Sequence, residues 1–264
     1  MVELAEILAD LDAESSEVDR LVADRPARDW ALATPAAGWT VAHQIAHLTW
    51  TDEAAILAIR DPDGFATHLA EAFNDPEGFV DRGAEGLLVA PDVMLRRWRT
   101  GRSALAESLA GVPPGQKVPW YATSMSPASL ATARIMETWA HGLDIADALH
   151  AERQPTARLR HVAYLGYRTF GYSFLANGRE MPTDAVRVEL VAPDGTQWTY
   201  GPVDAANRVT GPALDFCLLV AQRRHRDDLN LVATGPAADE WLDIAQAFAG
   251  PPGGGRAPVG EGAA

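Results

Sequence analysis

For about 180 residues this chain places its apolar side chains at helical spacing, and after Pro182 the spacing shortens to two. That switch constrains the fold more than any other feature. A period near 3.6 requires helices that bury one stripe, and a period of two requires a sheet with one buried face. Residues 2–24 carry Leu4, Ile7, Leu8, Leu11, Val18, Leu21 and Val22 on a helical stripe. Thr40 predicts the N-cap of a second helix, "VAHQIAHLTWTDEAAILAIR", closed by Asp61-Pro62. Asp92 predicts the start of a third, "VMLRRWRTGRSALAESLAG", stopped by Gly111 and Pro113-Pro114. Ser126-Pro127 opens a fourth that runs to about His150, and residues 157–177 predict one more. The stretch 64–90 between the second and third is Gly-interrupted and acidic, and is expected to be loop or weakly helical.

Beyond Pro182, Val186, Val188 and Leu190 alternate with Arg187 and Glu189, and Asp194-Gly195 supplies a hairpin turn. "GPALDFCLLVAQRRH" then predicts a helix, "LNLVATG" a short strand and "AADEWLDIAQAFAG" a closing helix. The tail "PPGGGRAPVGEGAA" is low in complexity and expected to be disordered. The expected division is a helical bundle over residues 1–180, a small α+β domain over 183–250 and a tail over 251–264. The fold class is mainly α.

A net charge of −14 excludes nucleic acid and anionic membrane as default partners. The single cysteine, Cys217, rules out a disulfide framework and argues against a cysteine-built zinc site. The N-terminal stretch is acidic and amphipathic, unlike a signal peptide, and no apolar run reaches membrane-spanning length. The expectation is a cytoplasmic protein, monomer or homodimer, acting on a small-molecule substrate.

The chemistry is concentrated in "METWAHGLDIADALH", residues 136–150. Glu137, His141 and Asp144 recur at i, i+4 and i+7, on one stripe of a helix that is otherwise apolar. The second helix carries His43 and His47, with Trp50 on the same inward stripe. Facing helices of a bundle converge their inward side chains, and metal sites are built that way. Two imidazoles and a carboxylate suit Zn²⁺, or less selectively Fe²⁺, Mn²⁺ or Ni²⁺, and three protein ligands leave one coordination position open. The residues alone leave a plainer reading beside this one. An inward histidine is commonly a hydrogen-bonded core residue, and Glu137 has Arg134 one turn away as an ion-pair partner.

"GWTVAHQIAHL", followed some ninety residues later by "ETWAHGLDIADAL", resembles the DinB-like four-helix-bundle superfamily. Within it the chain looks like the mycothiol-dependent maleylpyruvate isomerase branch, as a metal-binding subgroup rather than the isomerase proper. The "W-(S/T)-V-x-x-x-x-x-H-L" and "E-x-x-x-H-x-x-D" segments of that branch are both complete here. The resemblance implies His47, Glu137 and His141 as metal ligands, a following α+β domain, and mycothiol as thiol cosubstrate. His43 and Asp144 are then expected behind the ligands, orienting them.

"VTGPALDFCLLVAQRRH" resembles the family helix whose arginine meets the anionic substrate, which implies Arg223. Arg224, His225 and Arg226 follow it directly, and a basic cluster at a helix C-terminus is also favoured by the helix dipole. Arg223, Arg224, Trp50 and Trp139 are the candidate substrate- or thiol-binding residues. Three readings follow. The first is a zinc- and thiol-dependent isomerase or S-transferase. The second is a metal-dependent hydrolase, lyase or cyclase that uses no thiol. The third is a non-catalytic metal- or ligand-binding protein.

Overall fold

The structure, a computed structural model, describes residues 3–260 apart from 77 and 122. It divides into two compact units, residues 1–153 and 154–264.

In the first unit four long helices make a bundle: α1 (Leu4–Val22), α3 (Val41–Arg60), α6 (Pro91–Ala110) and α7 (Pro127–Ala148). The short α2 (Ala27–Trp30), and α4 (Pro62–Asn74) with α5 (Phe79–Glu85), lie in the connections. α1 packs along α7, α3 along α6, and α3 also meets α7. The predicted helix over 41–60 is found with those bounds. Ser126 caps α7, its hydroxyl accepting from the Ser129 amide at 3.1 Å, with Pro127 at the first helical position. The third long helix starts at Pro91, so Asp92 sits inside its first turn rather than capping it.

Two apolar clusters fill the bundle. One gathers Val18, Trp30, Ile45, Leu48, Met94, Trp98 and Ile145. The other gathers Ile7, Leu11, Ala55, Phe65, Leu105, Leu109, Leu130 and Ile135. Along α7 the candidate ligands at 137 and 141 fall between Ile135 of one cluster and Ile145 of the other. α1 approaches α7 closely at Gly142, where a Cβ would stand 2.6 Å from a methyl of Val18. The segment expected to be loop or weakly helical holds two helices, α4 and α5: α4 starts on Asp61, whose carboxylate accepts from the Gly64 amide at 3.0 Å, with Pro62 at the first position.

The second unit contains α8 (Leu159–Arg168), α9 (Phe170–Ala176), the strands β1 (Val186–Val191), β2 (Gln197–Tyr200) and β3 (Asn207–Pro212), then α10 (Ala213–Val220), β4 (Val232–Thr234) and α11 (Pro236–Ile244). The sheet order is β2-β1-β3-β4. β1 and β2 form the expected hairpin, with Val191 opposite Gln197. β3 lies parallel to β1 and antiparallel to β4. Val186, Val188 and Leu190 are the buried face of β1. α8 packs on α10 and α9 on α11, so the chain divides at Arg153 and not at the change of period near Pro182. The helix expected over 157–177 is two, parted at Thr169. The tail is partly engaged: the Val259 amide donates to the Asp228 carboxylate at 3.0 Å. Residues 261–264 lie outside the described residues.

Candidate metal centre

α3 and α7 cross with their inward polar positions facing. His47 comes from α3, and Glu137 and His141 from adjacent turns of α7. One Glu137 carboxylate oxygen, Oε2, meets His141 Nε2 at 3.2 Å and His47 Nε2 at 3.4 Å. The imidazole centroids are 4.4 Å apart. Each of the three side chains offers one donor atom, and these atoms lie within 4.8 Å of one another. A tetrahedral cation bound at about 2.0–2.1 Å needs donors about 3.3–3.5 Å apart, and the nitrogen–oxygen edges of 3.2 and 3.4 Å lie within about 0.1 Å of that spacing. Nitrogen and carboxylate oxygen are also the donors zinc, iron and nickel accept. The residues present therefore fit a divalent metal. The side chains keep 8% (His47), 12% (His141) and 23% (Glu137) of their surface exposed, which leaves the carboxylate the most accessible of the three.

The ion pair that competes for Glu137 in the sequence is directed elsewhere. Arg134 Nε donates to Asp52 Oδ1 at 2.9 Å, and both side chains are buried. Glu137 is left with the two imidazoles. Burial works against its ionisation, but hydrogen bonds from His141 and His47, reinforced by the charge of both rings, hold its carboxyl well below the usual range.

Behind the ligands stands a residue for which the sequence carries no signal. Gln44, fully buried on α3, has its Oε1 2.5 Å from His141 Nδ1. Its Nε2 donates to Thr34 Oγ1 at 2.8 Å, and Thr34 Oγ1 donates to the Trp39 carbonyl at 2.9 Å. His43, expected in that place, turns to the helix start. Its Nδ1 accepts from the Thr40 amide at 3.2 Å and lies 2.8 Å from the Thr40 hydroxyl, as in a capping box. Asp144 is buried on α7 one turn past His141. Neither His43 nor Asp144 belongs to the cluster of donor atoms.

Two tryptophans flank the imidazoles. Trp39 stacks on His141 with centroids 6.0 Å apart and tilts over His47 at 5.3 Å. Trp50 also meets His47, with centroids 6.0 Å apart. α5 holds both. Trp39 Nε1 donates to Asp81 Oδ1 at 2.9 Å, and Phe79 meets the Trp50 ring edge-on at 5.1 Å. Gly83 is in contact with Trp50, and a Cβ there would lie 2.4 Å from the indole. Beyond Trp50, His68 Nε2 and the Tyr121 hydroxyl lie 2.7 Å apart in an aromatic cluster with Phe65 and Phe79, and burial lowers the His68 imidazole.

Of the other candidates, Trp139 is buried, and its carbonyl accepts from Arg153 Nη1 at 3.1 Å. Arg223 and Arg224 belong to the second unit, just past the end of α10. Arg223 Nη1 donates to the Ala221 carbonyl at 2.6 Å, and Arg224 Nη1 to the Arg223 carbonyl at 2.7 Å. Among the described residues no helix is long and apolar enough to cross a membrane.

Residues 11–146, over half of the chain, match the family described as the mycothiol maleylpyruvate isomerase N-terminal domain. Residues 182–234 match a second family, described as wyosine base formation. Two uncharacterized proteins of Mycobacterium tuberculosis, from strains CDC 1551 / Oshkosh and ATCC 25618 / H37Rv, are each 52% identical over 257 residues. The match covers 97% of this chain and 100% of each. Among solved structures the chain is similar to the mycothiol-dependent maleylpyruvate isomerase, with a TM-score of 0.57 at 16% identity over 88% of this chain and 93% of that one. A histidine-to-alanine mutant of that enzyme gives 0.58 at 15% identity, with the same coverage of both chains. At these identities the likeness is one of fold: a helical bundle followed by a small α+β domain.

Proposed function

Because the chain belongs to the mycothiol maleylpyruvate isomerase N-terminal domain family, we propose that it is a divalent-metal-dependent enzyme that adds a low-molecular-weight thiol, mycothiol, to a small electrophile. The reaction class is isomerase or S-transferase. The observation that carries this reading is the gathering of one donor atom each from His47, Glu137 and His141 within 4.8 Å of one another. Those three residues would hold the ion, with zinc the first expectation and nickel or iron the alternatives. A bound ion would supply the positive charge that favours the thiolate form of a coordinating thiol at neutral pH.

Addition forms a carbon–sulfur bond and converts a substrate double bond into a single bond that can rotate. Expelling the thiolate as the double bond re-forms completes an isomerisation, and keeping it, with the thiol's proton returned to the neighbouring carbon, leaves a conjugate. The protein's own contribution is to orient and to shield. Trp39 and Trp50 flank the imidazoles and keep bulk water from those faces. Arg223 or Arg224, in the second unit, is proposed as a contact for an anionic ligand group. Among the described residues the cluster has three protein donors rather than four, which supports an enzyme over a closed, non-catalytic metal site. His43, the residue best placed in sequence to be a fourth ligand, is engaged by Thr40.

The test is elemental mass spectrometry of the purified protein beside His141→Ala, followed by thiol-conjugation assays with mycothiol and unsaturated acids. Near-stoichiometric zinc, nickel or iron in the wild type and its loss in the variant are expected, with turnover that requires both metal and thiol. A folded wild type that carries no metal and refuses added zinc overturns the reading. Turnover that proceeds equally without thiol moves it to a hydrolase, lyase or cyclase.

A further inference from the structure

We infer that Gln44 is the positioning residue of the metal centre, fixing the ring proton of His141 on Nδ1 so that Nε2 is presented to the cation. The inference rests on the metal-binding reading above and follows from counting protons along one chain of hydrogen bonds. The Trp39 carbonyl can only accept. Thr34 lies 2.9 Å from it and has a single hydroxyl proton, which that bond uses. The same carbonyl also accepts from the Thr34 amide at 2.8 Å, so the hydroxyl is seated at the site by two bonds from one residue. Thr34 Oγ1 must then accept from its other neighbour, Gln44, at 2.8 Å. The group of Gln44 facing Thr34 is therefore the amide nitrogen, and the group facing His141 is the carbonyl oxygen. That oxygen also only accepts, so His141 Nδ1, 2.5 Å away, carries a proton.

His141 Nε2 is left as the variable atom, and it lies 3.2 Å from a carboxylate oxygen. A lone pair facing a carboxylate is repulsive unless a cation comes between, either a second ring proton or a metal. Gln44 thus turns the His141–Glu137 contact into a place that requires a positive charge. It is fully buried, so its amide has no water to exchange with, and its orientation is fixed by Thr34. His47 has no such arrangement: its Nδ1 is buried without a hydrogen-bond partner, and its ring is held by Trp39, Trp50 and His141. Orientation of the site through hydrogen bonds therefore runs through Gln44. Outer partners of this kind are worth about 10–100-fold in metal affinity.

Three variants separate this from packing. Gln44→Leu fills the space and removes the acceptor. Gln44→Glu keeps an acceptor for Nδ1–H at the expense of a buried charge. Thr34→Val removes the hydroxyl that orients the amide while keeping its shape. Zinc affinity is read by chelator competition. The ring proton is read from ¹⁵N-histidine spectra of the metal-free and zinc-loaded proteins. The wild type should show an exchange-protected proton on His141 Nδ1 in both forms. Gln44→Leu should lose that protection and bind zinc about 10–100-fold more weakly, while Gln44→Glu keeps both. Thr34→Val should weaken the Nδ1 protection, and it carries the test if Gln44→Leu does not fold.

A wild-type His141 whose Nδ1 carries no proton in the metal-free protein overturns the inference. So does zinc affinity unchanged in Gln44→Leu, or a Leu variant that binds more tightly than the Glu variant. A wild type that binds no zinc defeats the proposed function, whereas the Nδ1 assignment in the metal-free protein is decided separately.

Discussion

Two carboxylates lie on the seam between α3 and α7, and they have been given different cations. Asp52 has Arg134, a permanent charge 2.9 Å away and as buried as itself. Glu137, one turn along α7 from Arg134, has only the imidazoles of His47 and His141. The first pair has its counter-charge within the protein. The second is complete only when something positive joins it, because an imidazole is an indifferent partner until it is protonated or ligates a metal. Had Arg134 turned to Glu137, as the spacing on α7 permits, the site would hold its own counter-ion and a metal would have to displace it. Asp52 prevents this from the facing helix. A structural ion pair and a metal-binding cluster thus sit side by side because one arginine is committed to one of two acids.

The largest expected effect comes from removing the acid that lacks an arginine. Glu137→Gln should lower zinc affinity by more than the about 100-fold upper range of an outer partner, because a ligand itself is lost. Its pH signature is also distinct. Against the effect of burial, His141 and His47 hold the Glu137 carboxyl well below the ordinary glutamate range, so its contribution to metal-free stability is present in full above that range and is lost as the pH falls through the lowered value. Unfolding midpoints measured from pH 6 downward should fall less steeply in Glu137→Gln. A variant with an unchanged acid limb and unchanged zinc affinity breaks the comparison.

Asp52→Ala is the converse experiment. It leaves the Arg134 guanidinium buried and unpaired, which typically costs about 3–5 kcal/mol. Denaturant unfolding should register that loss, while the folded protein still takes up stoichiometric zinc. Loss of zinc without loss of stability would mean that the two acids exchange roles.

Gly83→Val comes next. The added carbons overlap the Trp50 indole, and overpacking of this kind costs about 1–3 kcal/mol. Because Trp50 supports His47 and not the hydrogen-bonded side of His141, zinc affinity should fall less than in Glu137→Gln. Tryptophan fluorescence should report the displaced ring. An affinity loss as large as that of Glu137→Gln would place the weight of the site on the aromatic side.

What was legible in the sequence divides along the same physical line. The bundle helices announce themselves because their apolar residues recur at helical spacing and they begin or end on residues with local reasons to do so, such as Thr40, Asp61-Pro62 and Ser126-Pro127. The ligand candidates stand out as polar residues where a stripe should be apolar. α4 and α5 do not announce themselves: glycines interrupt the pattern, and their role depends on two distant tryptophans. β3, "NRVTGP", is poor in strand-forming residues and exists because β1 and β4 pair with it from both sides. Gln44 is silent for another reason. A glutamine three residues before a histidine is ordinary in any helix, and only the fold brings Thr34 to one side of it and His141 to the other.

The smallest effect is expected one residue from Asp52. Glu53 points the other way on α3 and takes both Arg97 Nε and Nη2, at 2.6 and 2.9 Å, with 37% and 49% of the two side chains exposed. Its geometry is better than that of the Asp52–Arg134 contact, yet water screens both charges and solvates whichever is left alone. Glu53→Gln should therefore cost about 0.2–1 kcal/mol, against the several expected for Asp52→Ala. That small difference should shrink further in high salt, where exposed charges are screened over a few ångströms. Paired unfolding curves at low and high salt measure both. If Glu53→Gln matched Asp52→Ala, bond geometry rather than burial would set the worth of an ion pair in this bundle, and the distinction drawn between Asp52 and Glu137 would lose its basis.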